Sequence, residues 1–218
     1  IEHYGPERWS ESDPSILQMA DNLPYEMVLE RPKLALHQIW LLIIQGRIER
    51  ALRLLNDLKQ KLTVTDREPE QGWMQTIITV ALDFLSPPGS TASPFPDYQR
   101  VEEIPTEERI LRSTADFLYV MTLGRQGELD QAVEIAVECI QREKIHPGTL
   151  AIHSLAPFLT RGYLMQGRLH AAASLCREIL EPLVRDPRLI DTTGSVKIDL
   201  GEVLCEWNCL EEAEQYIR

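Results

Sequence analysis

The chain is short of basic residues and lacks the short motifs that mark common catalytic and nucleotide-binding sites. Its 218 residues include 22 Lys and Arg against 34 Asp and Glu, which gives a net charge of −12. We therefore expect no direct contact with nucleic acid, because phosphate binding depends on clustered Lys and Arg. The phosphate loop G-x-x-x-x-G-K-[ST] and the motifs H-E-x-x-H and G-x-S-x-G are absent. The sequence thus predicts a protein that is not an enzyme, with no catalytic residues, cofactor or metal site.

Cysteine and long apolar runs are also scarce. The four cysteines, Cys139, Cys176, Cys205 and Cys209, form no C-x-x-C pair and fall on predicted apolar helix faces. This usage favours buried, reduced thiols, as is typical of a cytoplasmic protein. No apolar run reaches the roughly eighteen residues that a membrane-spanning helix needs. The chain starts without methionine and stops within a predicted helix, so we expect it to be a piece of a longer protein.

One short phrase occurs four times, as QGRIERALRLL, QGELDQAVEIA, QGRLHAAASLC and WNCLEEAEQYI. Each copy contains a turn residue, an aliphatic residue two places later and an alanine five places later. The turn residues lie 81, 40 and 41 residues apart, which indicates a period of about 40 residues. The turn residues are Gly46, Gly127, Gly167 and Asn208, and the alanines are Ala51, Ala132, Ala172 and Ala213.

This phrase predicts the corner of a helical hairpin. Glycine and asparagine tolerate the left-handed backbone angle that ends a helix. Alanine allows two antiparallel helices to approach closely, and each hairpin buries its remaining apolar face against the next one. We therefore predict an all-α fold, a TPR-like right-handed superhelix of antiparallel hairpins. The period exceeds the 34 residues of the TPR repeat itself.

We interpret the chain as a single superhelical domain, 1–218, with a degenerate second unit. In that unit a Pro- and Ser-rich loop beginning at Ser86 takes the place of the second helix. Pro157 should kink or split the helix in which it lies, and Gly194 should fall in a connector between units. The third unit should begin with Thr106 as the N-cap of its first helix. The five units span about 14–62, 70–105, 106–142, 147–184 and 195–218.

The first helices of the hairpins carry the candidate binding residues. Core packing is the ordinary interpretation of an aromatic residue such as Trp40, and the alternative is that it lines a concave groove. In a TPR-like register the inward positions form an apolar surface with a few polar groups, which suits a small ligand or a partner helix. The candidate groove residues are Trp40, Phe117, Met121, Ser154, Arg161, Ser195 and Glu202.

Two segments resemble parts of a known family. They are LPYEMVLERPKLALHQIWLLIIQGRIERALRLL (Leu23–Leu55) and GSVKIDLGEVLCEWNCLEEAEQYI (Gly194–Ile217). They are similar to the opening and closing segments of the superhelical domain in MalT-like, LuxR-type ATP-dependent transcriptional regulators of bacteria. The E-W-N step, Glu206-Trp207-Asn208, is the most specific part of the match.

The resemblance implies a sensor function. In that family the superhelix lies between a nucleotide-binding switch module and a helix-turn-helix DNA reader, and it receives an inducer. The implied role is therefore inducer sensing, protein interaction and oligomerisation. The implied partners are a small-molecule inducer or regulatory protein, the other modules of the same regulator and a second copy, but neither nucleic acid nor membrane. The alternative is a TPR-like scaffold that docks a protein or peptide without a small ligand.

Overall fold

A computed structural model describes residues 22–64, 69–87, 96–143, 150–185 and 190–217. Across these ranges the chain is all α, with eleven helices packed as sequential antiparallel pairs and no strand. The helices are α1 Tyr25–Leu29, α2 Pro32–Ile44, α3 Ile48–Val64, α4 Pro69–Leu85, α5 Tyr98–Glu102, α6 Arg109–Gln126, α7 Leu129–Glu143, α8 Leu150–Met165, α9 Leu169–Arg185, α10 Ile190–Glu206 and α11 Leu210–Ile217.

The chain divides into two compact units, residues 1–126 and 127–218. In the first, α2 packs against α3, α4 packs against both α3 and α6, and the short α5 contacts α4 and α6. In the second, α8 packs against α7 and α9, and α10 packs against α8, α9 and α11. The boundary falls at the second predicted corner, and the interpretation as one superhelical domain stays a prediction.

The backbone has a positive φ at all four predicted turn residues, and the hydrogen bonds of a helix-ending corner are present at three of them, Gly46, Gly167 and Asn208. At Gly46 (φ 69°) the Gly46 N–H donates to the Ile43 carbonyl at 3.0 Å, and the Arg47 N–H donates to the Leu42 carbonyl at 2.8 Å. The same pair of bonds ends α8 and α10, and it is the Schellman motif that satisfies the last carbonyls of a helix. In the described ranges, positive φ occurs only at Gly46, Gly127, Gly167 and Asn208.

The four corner alanines are all buried, as the phrase predicts. The backbone N–H of Ala51 donates to the Arg47 carbonyl at 3.1 Å, and that of Ala172 donates to the Arg168 carbonyl at the same distance. Each alanine therefore closes the first turn of its helix, and its methyl group is shielded from solvent. The spacing of five residues between turn and alanine follows from this local geometry.

Four local expectations are wrong or changed. Helix α8 is continuous through Pro157, so the expected split is wrong, and the expected kink stays a prediction. Gly194 lies inside α10 and not in a connector, since glycine permits a turn but does not require one. Helix α6 begins at Arg109, three residues after the expected N-cap Thr106. The Pro- and Ser-rich loop was expected to extend to Pro105, but the short helix α5 occupies Tyr98–Glu102, and residues 88–95 lie outside the described residues.

The cysteines differ in exposure. Cys139 and Cys176 are buried, as expected, whereas Cys205 is exposed at the end of α10 and Cys209 is half-buried after the corner. The expectation of four buried thiols is therefore wrong for these last two, because α10 ends at a surface turn. No helix in the described part of the chain is long and apolar enough to cross a membrane.

Candidate functional site

Three aromatic side chains from α2, α4 and α6 meet in the first unit. The rings of Trp40 and Phe117 lie edge to face with centroids 5.5 Å apart, and Phe84 lies 6.3 Å from Phe117. We call Trp40, Phe84 and Phe117 the aromatic cluster. Trp40 is buried, whereas Phe84 and Phe117 are half-buried and present ring surface to solvent. Such ring pairs stabilise a fold by about 0.5–1.5 kcal/mol each beyond their buried area.

An arginine lies at one edge of the aromatic cluster. The guanidinium of Arg125 stands 5.9 Å from the Phe84 ring centroid and donates to the carbonyls of Phe84 and, at 2.7 Å, of Ser86. These bonds cap the last turn of α4, where a positive charge is favourable. Met121 is half-buried and lies one turn after Phe117 on α6. The first unit therefore offers aromatic surface bordered by a cation.

The sequence predicted Trp40, Phe117 and Met121 but missed Phe84 and Arg125. Phe84 lies on the first helix of the degenerate unit. No corner phrase follows this helix, so the sequence gives no reference point for assigning Phe84 to a helix face. Arg125 stands only two residues before a corner, and its role depends on the end of α4 lying beside α6. Tertiary packing, not local pattern, adds both residues to the surface.

In the second unit, the structure brings together two predicted groove residues. Arg161 on α8 and Glu202 on α10 form an ion pair at 2.5 Å, with 56% and 40% of their side chains exposed. Each lies six residues before the turn residue of its own hairpin, and α8 packs beside α10. An ion pair this exposed contributes at most about 1 kcal/mol to stability.

A buried carboxyl group lies next to this pair. Asp199 on α10 is only 6% exposed, and its Oδ2 accepts no hydrogen bond from any described residue. Burial raises the pKa of Asp199 to about 6; the charge of Arg161 opposes this rise, and the charge of Glu202 adds to it. We call Arg161, Asp199 and Glu202 the charged cluster.

A neighbouring thiol has the properties of a core residue. The Sγ of Cys176 on α9 lies 3.5 Å from the hydroxyl of Thr160 on α8, and both side chains are buried. Burial raises the pKa of Cys176, the contact with Thr160 lowers it, and the nearby charge of Asp199 raises it further. Burial therefore favours the protonated form of the Cys176 thiol, which is a poorer nucleophile than the thiolate.

The seven candidate groove residues divide between the two units. Trp40, Phe117 and Met121 lie in the first unit, and the other four lie in the second. The side chains of Ser154 and Ser195 lie outside the described residues, although both belong to helices. The first unit thus contains an aromatic surface and the second a charged one, and the continuous groove stays a prediction.

These surfaces are suited to binding. Partly exposed aromatic side chains are chemically suited to contacts with apolar or aromatic groups, and charged side chains at a surface to contacts with ions or hydrogen-bonding groups. In the helices that the structure describes, no set of three His, Cys, Asp or Glu side chains is placed to hold a metal ion. Comparison of the chain with protein-family models, with curated proteins and with solved structures gives no match in any of the three cases.

Proposed function

We propose that this chain is the inducer-sensing and oligomerisation domain of a bacterial LuxR-type transcriptional regulator, of the MalT-like kind. The observation that carries the proposal is the ion pair within the charged cluster. Arg161 and Glu202 occupy the same repeat position in two successive hairpins, six residues before the turn residue, and they meet at the surface. The proposal includes a TPR-like right-handed superhelix with a repeat of about 40 residues. In such a superhelix the first helices line one surface, and equivalent positions become neighbours.

The two segments that resemble the family support this proposal by their local structure. Leu23–Leu55 contains α1, the whole of α2 and the start of α3, with Pro32 at the first position of α2. Gly194–Ile217 contains most of α10 and all of α11, joined at Asn208 (φ 58°). The E-W-N step therefore ends a helix and turns the chain into the next one.

The proposed mechanism is a shift between conformations. A ligand that contacts both α8 and α10 stabilises the arrangement of these two helices in which it makes the most favourable contacts. The free energy available for the switch equals the difference in ligand affinity between the two arrangements. The remaining modules of the regulator would respond to that arrangement by assembling into an active oligomer.

A thermal-shift screen tests the sensor function. The probes are oligosaccharides, amino acids, aromatic acids and nucleotides. A ligand present at 100 times its dissociation constant adds about 2.7 kcal/mol, which for a chain of this size raises Tm by roughly 5–10 °C. Arg161→Ala should abolish the shift if the ligand binds at the charged cluster. Arg177→Ala removes another exposed ion pair, with Glu212 at 3.4 Å, and should leave the shift intact.

A protein-docking scaffold is the second candidate, and exposed apolar side chains favour it. Met165, Ile198 and Leu210 in the second unit are all more than half exposed. Large apolar side chains at a surface are typical of protein contacts when they are grouped. A screen with no stabilising small molecule would contradict small-molecule sensing, and sedimentation of the chain alone would then test association with a second copy.

A further inference from the structure

Helix α7 holds the next hairpin through three positions near its start. Leu129 lies two residues after the turn residue, Asp130 three and Val133 six. A Cβ placed on Gly162 of α8 would lie 2.6 Å from Cγ2 of Val133 and 3.9 Å from Cδ1 of Leu129. The Nε2 of Gln166, at the end of α8, donates to Oδ1 of Asp130 at 2.7 Å. These three positions therefore form a face on which the second helix of one hairpin receives the first helix of the next.

The same face is in use on α9. Its residues there are Leu169, His170 and Ala173. The ring centroid of His170 lies 4.8 Å from that of Trp207, just after α10. Trp207 stands one residue before its turn residue, as Gln166 does, so the two hairpins make this contact at matching positions. Ala173 is fully buried and Leu169 is half-buried. The face is thus a repeated packing surface.

On α11 the same three positions are exposed. They are Leu210, Glu211 and Glu214, and we call them the α11 face. Leu210 is 55% exposed, whereas the leucines at the matching position of α7 and α9 are both half-buried. A hairpin on which nothing stacks is expected to carry a polar outer face. The two glutamates fit that expectation and the leucine does not, so the α11 face keeps the apolar contact of a docking surface.

The charges of the α11 face define the helix that fits it. Glu214 stands where α7 has the apolar Val133, and Glu211 stands where α7 has Asp130, which accepts a hydrogen bond from α8. Lysine or arginine on the docked helix supplies both hydrogen-bond donors and the opposite charge. Apolar side chains of that helix would cover Leu210. A second α11 would set carboxylates against carboxylates, so pairing of this face with itself is unfavourable.

We propose that the α11 face docks a basic amphipathic helix of a partner protein. The apolar stripe of that helix packs on Leu210, and its lysine or arginine side chains contact Glu211 and Glu214. The docked helix lies on α11 as α8 lies on α7. The α11 face shares no residue with the charged cluster, so this docking does not depend on the proposed sensor function.

Fluorescence anisotropy of a labelled peptide measures the docking to the full 218-residue chain. The peptide contains about 20 residues of Leu, Lys and Ala, with the leucines on one helical face, and is long enough to fold as a helix. A second peptide carries Glu in place of every Lys. At about 0.15 M salt, which screens distant charges, the basic peptide should bind and the acidic one should not. In an NMR titration the basic peptide should perturb the backbone amides of α11.

Matched variants locate the docking site. Leu210→Ala and Glu211→Lys should each weaken binding of the basic peptide by at least about tenfold, because a few central contacts carry most of the affinity. Glu211→Lys should also gain affinity for the acidic peptide, which a misfolded variant would not. The controls are Ile198→Ala, at an apolar residue that is 57% exposed, and Glu134→Lys, at an exposed residue of α7. Both should leave the affinity within about twofold of wild type.

Two results would overturn the docking proposal. One is no binding of the basic peptide, and the other is equal affinity for wild type, Leu210→Ala and Glu211→Lys. Sedimentation tests the other occupant: a dimer that Leu210→Ala dissociates would show that a second copy covers the face, which also contradicts a basic partner. The thermal-shift screen reports separately on sensing. A stabilising ligand leaves the sensor function standing even if no peptide binds, and a silent screen leaves a bound peptide as support for docking alone.

Discussion

Replacing Asp199 by asparagine should stabilise the protein at neutral pH. Burial moves the pKa of this carboxyl from 3.8 to about 6 in the folded state. Below pH 3.8 the Asp199 carboxyl is protonated in both the folded and the unfolded chain, so no buried charge opposes folding and its contribution to the free energy of unfolding is highest. As pH rises toward 6, the unfolded chain loses the proton first, so the free energy of unfolding falls.

The size of the effect follows from the two pKa values. Each pKa difference of one corresponds to 1.36 kcal/mol, so ionisation of Asp199 lowers stability by about 3 kcal/mol at pH 7. The asparagine side chain carries no charge, and the gain of the variant over wild type should therefore be about 3 kcal/mol at pH 7 and under about 1 kcal/mol near pH 4. The groups that face Asp199 are Arg161 on α8, Cys176 on α9 and Glu202 on α10.

Urea denaturation followed by circular dichroism measures this difference at a series of pH values. The comparison between variant and wild type is the useful quantity, because every other ionisable group is the same in both proteins. Glu212→Gln removes an exposed carboxylate and should change stability by less than about 1 kcal/mol. An Asp199→Asn protein that gains no stability at pH 7, or gains as much at pH 4, would refute the reasoning.

Three further predictions concern packing and backbone geometry, and thermal melts measure all of them. Gly167→Ala should lower the free energy of unfolding by about 1 kcal/mol, because φ is +70° at this residue. Gly194→Ala, in an open position inside α10, should raise it by about 0.5–1 kcal/mol. Equal effects of the two substitutions would contradict the corner assignment. Gly162→Ala should cost roughly 1–3 kcal/mol, since its Cβ would lie 2.6 Å from Cγ2 of Val133, and an unchanged Tm would show that α7 and α8 separate freely. Ala172→Leu should cost about as much by overpacking a fully buried corner, and a neutral result would exclude close helix approach at that position.

The corner phrase made much of the helical architecture predictable. Turn residue, aliphatic residue and alanine are fixed by backbone angles and hydrogen bonds within about ten residues, so each copy could be interpreted by itself. Gly194 shows the limit of this reasoning, because the same residue type is compatible with a turn and with a helix. Phe84 shows another limit, since a helix without a corner phrase gives no register from which to assign its faces.

The sequence by itself determined that the chain is helical, where its hairpin corners lie and which alanines are buried, because those properties arise from local backbone geometry and a repeated spacing. Only the tertiary structure decided which polar groups meet and how they are charged. Arg161 and Glu202 are 41 residues apart in sequence, and their contact depends on α8 packing beside α10. The pKa of Asp199 depends on its burial and on the charge of Arg161 from another helix, which no local pattern encodes.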